Sequence, residues 1–328
     1  MDSMTQDITT LARRKAYCVM GAGSLPYARL SIQSLCANSI DPLDLKIITD
    51  GESDKTKIVD AVTELGIETR HQVSVHSKAE LDVLATAQYV NLPELHRLRS
   101  GHPCWRKITD PLLLAEDGEE ILLLDPDLYF PNRFRFEPTP STGVLLMWQR
   151  PHCLLPHESV MNAYGGKLRL AHHVDIGVGQ LRRNLDMQWM NDLVATLRGG
   201  GELPRKMHIE AIIWSAVALR EGGGYLDPTH WHCWANSQWK RAALKMRVAG
   251  VRLLRGEPFS DMKCFHGGGP AKWWIPDFMK EGFMPAPRLL DEHVAPRAFE
   301  ELTQSEYLAG QRWRALARKL GYYAIFKS

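Results

Sequence analysis

An α/β fold, with a mostly parallel sheet flanked by helices, is predicted by three features of the chain. Short apolar runs alternate with amphipathic helical stretches. AYCVM is followed by Gly21, DLKIITD closes on Asp50, and ILLL runs into Asp125, at the carboxyl edge where a parallel sheet binds ligands. A chain of 328 residues with 45% hydrophobic content also holds enough apolar material for one large core.

In order, AYCVM (16–20) reads as a strand, GAGSLPY as a loop and ARLSIQSLCANS as an amphipathic helix, together a βα unit. DLKIITD (44–50) repeats the strand, Gly51 and Glu52 turn the chain, and SDKTKIVDAVTELG follows as a helix with Ser53 as its N-cap. Residues 67–75 supply a third strand. Residues 77–117 read as helical, broken near Pro93 and Pro103, and lead through AEDGEE into the strand ILLLDPDLYF (121–130). GVLLMW (143–148) and VDIGVGQL (174–181) read as further strands, and the loop of Pro, His and Gly between them, 151–172, is expected to carry substrate contacts. Helices follow near 186–198 and over HIEAIIWSAVALREGGG, whose glycines end it. No repeat or low-complexity linker appears, so residues 1–275 read as one domain and 276–328 as a C-terminal helical extension.

Composition excludes several partners. A net charge of +2, from 40 basic and 38 acidic residues, gives no general electrostatic case for nucleic acid. Six cysteines without CxxC spacing argue against a zinc cluster or disulfide framework and for reduced thiols in a cytoplasm. The first residues lack an apolar signal core, and no run approaches the roughly twenty apolar residues that span a bilayer. The tail 311–328 mixes Arg and Lys with Trp, Leu, Tyr and Phe at near-helical spacing. Its two readings are a terminal helix packed on the domain and an interfacial helix in peripheral contact with a membrane.

Chemistry concentrates in two segments. Pro126 ends the apolar strand, so Asp125 and Asp127 sit at the carboxyl edge of the sheet. Two acids one residue apart repel unless a cation lies between them, and hard oxygen ligands suit Mg²⁺ or Mn²⁺; Asp-Pro-Asp is also ordinary turn chemistry. In KCFHGGGPAKWW (263–274), His266 follows a strand-like stretch and adds a third metal ligand. Gly267, Gly268 and Gly269 admit an anionic ligand close to the backbone, with Lys272 as its counter-charge.

These segments, in their order, resemble the retaining nucleotide-sugar glycosyltransferases of the GT-A fold, family 8, which includes glycogenin and bacterial lipopolysaccharide galactosyl- and glucosyltransferases. YARLSIQSLCANS resembles the family's first helix, DPD its DxD, VDIGV its NxGV and HGGGPAKWW its HxxGxxKPW, over roughly residues 16–275. The resemblance implies transfer of a hexose, with retention, from a nucleoside diphosphate sugar, UDP-linked, to a glycan or glycolipid in a bacterial cytoplasm or at the inner face of its membrane. It implies Mn²⁺ or Mg²⁺ on Asp125, Asp127 and His266, and donor contacts from Lys107, Gly267, Gly269 and Asp125, with Arg106 open as the alternative to Lys107. Lys272 falls on the leaving phosphate, Asp175 where the family holds sugar hydroxyls with Asn, and Glu210 beneath the anomeric carbon. Trp148, His152, His157, Trp231, His232 and Trp234 fall on the acceptor side. GAGSLPY lacks the acid that relatives use on uracil. A sugar nucleotidyltransferase and a non-catalytic carbohydrate-binding relative are the alternatives.

Overall fold

The computed structural model describes residues 12–235 and 237–322, so the end of the 311–328 tail lies outside the described residues. Its strands are β1 (Arg14–Val19), β2 (Leu43–Thr49), β3 (Gln72–Ser77), β4 (Glu120–Leu124), β5 (Leu128–Tyr129), β6 (Arg133–Phe134), β7 (Val144–Trp148), β8 (Val174–Arg182), β9 (Gly223–Tyr225), β10 (Trp231–Cys233), β11 (Cys264–His266) and β12 (Leu289–Leu290). Seven of them form one sheet in the order β3-β2-β1-β4-β8-β7-β9. Pairing is parallel except where β8 lies between β4 and β7, antiparallel to both. A sheet this parallel must be covered on both faces, and β1 and β4 show it. Tyr17, Ile121 and Leu123 enter one core layer, whereas Ala16, Cys18, Leu122 and Leu124 enter the other, beneath the helix Leu25–Asn38.

The predicted elements shift in a few places. Gly51, with extended backbone, caps the helix Glu52–Glu64, so Ser53 lies inside its first turn and is not the N-cap. The third strand starts only at Gln72: residues 67–71 turn, His71 donating its amide to Glu68 O and accepting Leu43 N–H on Nδ1. The helical region after Ser77 divides into Lys78–Gln88, Pro93–Arg99 and Arg106–Leu114, the first closed by a capping box between Ser77 and Glu80. The stretch 151–172 is not all loop, because it includes the helix His157–Gly165.

Beyond residue 275 the chain folds back onto the domain. After the helix Ala271–Lys280 it runs extended, β12 pairing with β6 and isolated bridges joining Arg297 to Tyr225 and Glu301 to Ala171. Buried Lys263 ties this stretch down by donating to Glu137 Oε1 at 2.8 Å and to the Glu292 carbonyl. The helix Gln304–Lys319 begins with a Thr303/Glu306 capping box and places Tyr307, 1% exposed, in the main core, while Trp313 stands 72% exposed. The helix is therefore anchored by its first turn, ahead of the 311–328 tail, and none of residues 311–322 is buried. Tyr307→Ala is expected to cost about 3–5 kcal/mol in denaturant unfolding, against less than about 0.5 kcal/mol for Trp313→Ala. Equal midpoints for the two variants would overturn the docking of this helix.

Candidate functional site

From β1 the chain winds outward to β2 and β3 and then returns to place β4 on the other side of β1. The loops after β1 and β4 thus diverge, and a crevice opens between them, where α/β sheets bind ligands. A cavity of about 490 Å³ occupies it, a size suited to a small organic ligand. Asp125 and Asp127 leave β4 at its floor. Asp125 is pinned by its amide, which donates to Gly177 O of β8 at 2.8 Å. Because β8 runs antiparallel, its first residues, Asp175 included, lie at the same edge as the end of β4.

β5 brings in the last component. It follows directly after Asp127 and pairs antiparallel with β11, setting Leu128 opposite His266. His266 Nε2 stands 3.3 Å from Asp127 Oδ1 and 3.6 Å from Asp125 Oδ2, and its Nδ1 lies 2.8 Å from Asp175 Oδ1. Asp175 Oδ1 also accepts the Gly177 amide at 2.9 Å. Gly177 must be glycine: a Cβ there would lie 2.6 Å from His266 Nδ1. Lys272, at the start of the next helix, donates to Asp127 Oδ2 at 3.0 Å and lies over the Tyr27 ring.

The far wall is built by two helix N-termini. Lys107, 7% exposed, donates to Asp125 Oδ1 and lies 3.0 Å from Glu210 Oε1, itself in a residue 5% exposed at the start of the helix Ile209–Glu221. Arg106 turns the other way, to Thr49 O and Asp50. Both line the cavity, Lys107 toward the carboxylates and Arg106 toward the end of β2.

Burial works against every charge here, and the partners decide each outcome. Burial raises Asp125 more than Lys107 lowers it, with Asp127 adding to the rise. Asp127 goes the opposite way, since His266 and Lys272 outweigh burial and hold it below the usual carboxylate range. Asp175 is held low in the same way by His266 and the Gly177 amide. Burial pushes Glu210 up against the pull of Lys107. His266 and Lys107 are both raised, because neighbouring carboxylates outweigh a burial that favours their neutral forms.

The residues fit a divalent cation. The ligand atoms of Asp125, Asp127 and His266 lie within 4.8 Å of one another, two hard oxygens and one imidazole, a set suited to Mn²⁺ or Mg²⁺. Asp175 on Nδ1 leaves Nε2 as the ligating nitrogen, a carboxylate–histidine arrangement that fixes the ring. Asp175, expected beside sugar hydroxyls, lines the cavity and engages the histidine. The Gly267 amide is likewise taken, donating to Asp127 O at 3.0 Å, so it does not face a ligand; Gly268 and Gly269 border the cavity, Gly269 at φ +65°.

Of the six residues expected on the acceptor side, only Trp234 lines the cavity among the described residues. Trp231 is fully buried against Phe136, His232 pairs with Glu257, and His157 stacks on Tyr307. Of the expected loop 151–172, Cys153 reaches the wall. Two acids escaped the sequence reading. Asp50 follows β2 directly, and Asp54 Oδ2 accepts the Ala22 amide at 2.9 Å, so the loop after β1 gains acidic neighbours from the following unit. The signal was present, since Asp50 closes an apolar strand just as Asp125 does.

No protein-family model matches the chain, and no curated protein sequence matches it. Among solved structures, apo mouse xyloside xylosyltransferase 1 is similar at a TM-score of 0.50 and 13% identity, over 79% of this chain and 98% of that one. The galactosyltransferase LgtC, solved with donor and acceptor sugar analogs, gives a TM-score of 0.47 at 10% identity over 82% and 92%. The chain has the GT-A glycosyltransferase fold.

Two substitutions test the geometry. Gly177→Ala forces His266 aside and is expected to weaken Mn²⁺ binding by about 10–100-fold in calorimetric titration, with the fold retained by circular dichroism. Unchanged affinity would show that the ring has no such constraint. Lys107→Met leaves Asp125 and Glu210 buried together and should destabilise the metal-free protein by about 3–5 kcal/mol in urea unfolding. A midpoint equal to wild type would remove Lys107 from the charge balance.

Proposed function

We propose that the chain is a metal-dependent glycosyltransferase that moves a hexose from a nucleoside diphosphate sugar, UDP-linked, to a glycan or glycolipid with retention of configuration. The observation that carries this reading is the convergence of Asp125, Asp127 and His266 on one point at the sheet's switch-point crevice. Asp125, Asp127 and His266 hold the cation, with Asp175 orienting His266. Bound Mn²⁺ or Mg²⁺ supplies positive charge to the diphosphate as it leaves.

The remaining work falls to the chain's own groups. Lys272 is within reach of the leaving phosphate from the cavity wall, and Gly268 and Gly269 allow that phosphate close to the backbone. The donor's base lies toward the loop after β1, where Asp50 offers an acceptor for an imide N–H. Glu210 lies beneath the sugar, 3.0 Å from Lys107, and in its ionised form its carboxylate faces the developing positive charge at the anomeric carbon. Retention follows from attack on the face that the leaving group vacates, the departing phosphate oxygen taking the acceptor's proton. Trp234 offers an aromatic face to an acceptor sugar.

A lipid-linked acceptor draws support from the last helix. Exposed Trp313, Leu316 and Leu320 stand among Arg312, Arg314, Arg318 and Lys319, a composition suited to an anionic membrane surface such as the inner face of a bacterial membrane. No helix among the described residues is long and apolar enough to cross a membrane.

Calorimetric titration of UDP is expected to show binding with Mn²⁺ that disappears with chelator, and Asp127→Ala should lower the Mn²⁺-dependent affinity by about 100-fold or more. Metal-independent binding, or equal affinity in the variant, would overturn the metal assignment. Lys272→Ala should lower turnover of the UDP-sugar by about 100-fold or more with an unchanged melting temperature. Near wild-type turnover would return this lysine to a surface role. Pelleting with anionic vesicles should drop when Trp313 and Leu316 are both replaced by Ser, and equal pelleting would exclude the tail as a membrane contact.

A further inference from the structure

A cluster of histidines lies outside the crevice, where the chain turns into β8. His172 and His173 stack with ring centroids 3.6 Å apart, and neither lines the cavity. The stacking depends on an unusual backbone: His173 sits at φ +57°, a left-handed conformation that a residue bearing Cβ adopts at a cost. The surrounding contacts hold it there. His173 Nδ1 lies 3.0 Å from the Gln149 carbonyl and must donate to it, which leaves the lone pair on Nε2. The His172 amide donates to Glu300 O at 2.7 Å, so the extended stretch beyond β12 delivers the Glu300 side chain to the same place. A ligand atom from each of His172, His173 and Glu300 lies within 4.8 Å of the others.

We infer that His172, His173 and Glu300 form a second metal site, separate from the crevice, that takes one borderline transition ion such as Zn²⁺. Three features favour this ion class. The ligand atoms lie within 4.8 Å of one another, and binding one ion turns the rings out of their stack, because each imidazole lone pair lies in its ring plane. A carbonyl on the second ring nitrogen is the usual outer partner of a metal-bound histidine. Burial lowers both imidazoles, so both are neutral at pH 7, as ligands must be. Two nitrogens and one carboxylate suit Zn²⁺ or Co²⁺ better than the hard-oxygen preference of Mg²⁺. Among the described residues Glu300 pairs with Arg297 at 3.6 Å, an exposed partner that a divalent ion displaces readily. The ion would clamp the start of β8, two residues before Asp175, to the C-terminal stretch, and through the Gln149 carbonyl it would steady a segment whose Gln149 side chain lines the crevice.

The test uses tag-free protein carrying Asp125→Asn and Asp127→Asn, which disables the crevice site, titrated with Co²⁺ alone. The visible absorption of a four- or five-coordinate Co²⁺ site is expected to saturate at one equivalent and to be displaced by Zn²⁺. Adding His172→Ala and His173→Ala should abolish it, and adding Glu300→Ala instead should weaken Co²⁺ binding by about tenfold or more. Glu300 is exposed, so that variant keeps the test decisive if the histidine pair is needed for folding. Absence of the absorption in the starting protein, or its persistence at equal affinity in both further variants, would overturn the site.

Discussion

The arrangement of the crevice depends on one electrostatic constraint: four carboxylates, Asp125, Asp127, Asp175 and Glu210, share a buried volume with Lys107, His266 and Lys272. Carboxylates this deep ionise only beside cations, and each contact is accordingly a pairing of opposite charge. His266 is central, meeting three acids from two strand ends. A divalent ion on Nε2 would take the place of a proton there, so the site is built to exchange one kind of positive charge for another.

Topology makes the convergence possible. Asp125 and Asp127 leave a parallel strand, Asp175 enters on an antiparallel one, and His266 arrives from a separate three-stranded sheet joined through β5. One edge of the sheet thereby collects side chains far apart in sequence. Gly177 is what allows them to close, since any side chain would occupy the place of the His266 ring.

Local patterning made the α/β architecture and the DPD edge legible, because Pro126 ends the apolar run and leaves both acids at the carboxyl edge of a parallel sheet. His266 was legible only when paired with DPD, through the resemblance of HGGGPAKWW to a family motif. The partner of Asp175 was not, as it lies 91 residues further on and no local rule links the two. Burial of Glu210 could have been foreseen, since IEAIIWSAVAL is apolar nearly all round and such a helix lies inside a domain. Ser53 misled because propensity favours Ser as a cap, yet Gly51 had the extended backbone that the cap position requires.

The C-terminal stretch has a consequence for how the chain reaches this state. Arg297 bridges to Tyr225 on the outermost strand, and Leu302 and Tyr307 complete the main core. These contacts span much of the sequence, so ordering them closes long loops. During synthesis the earlier βα units can assemble as they emerge, but the apolar ground beneath Tyr307 stays uncovered until the helix that carries it, Gln304–Lys319, has left the ribosome. Through that interval the nascent chain depends on not meeting another exposed apolar surface.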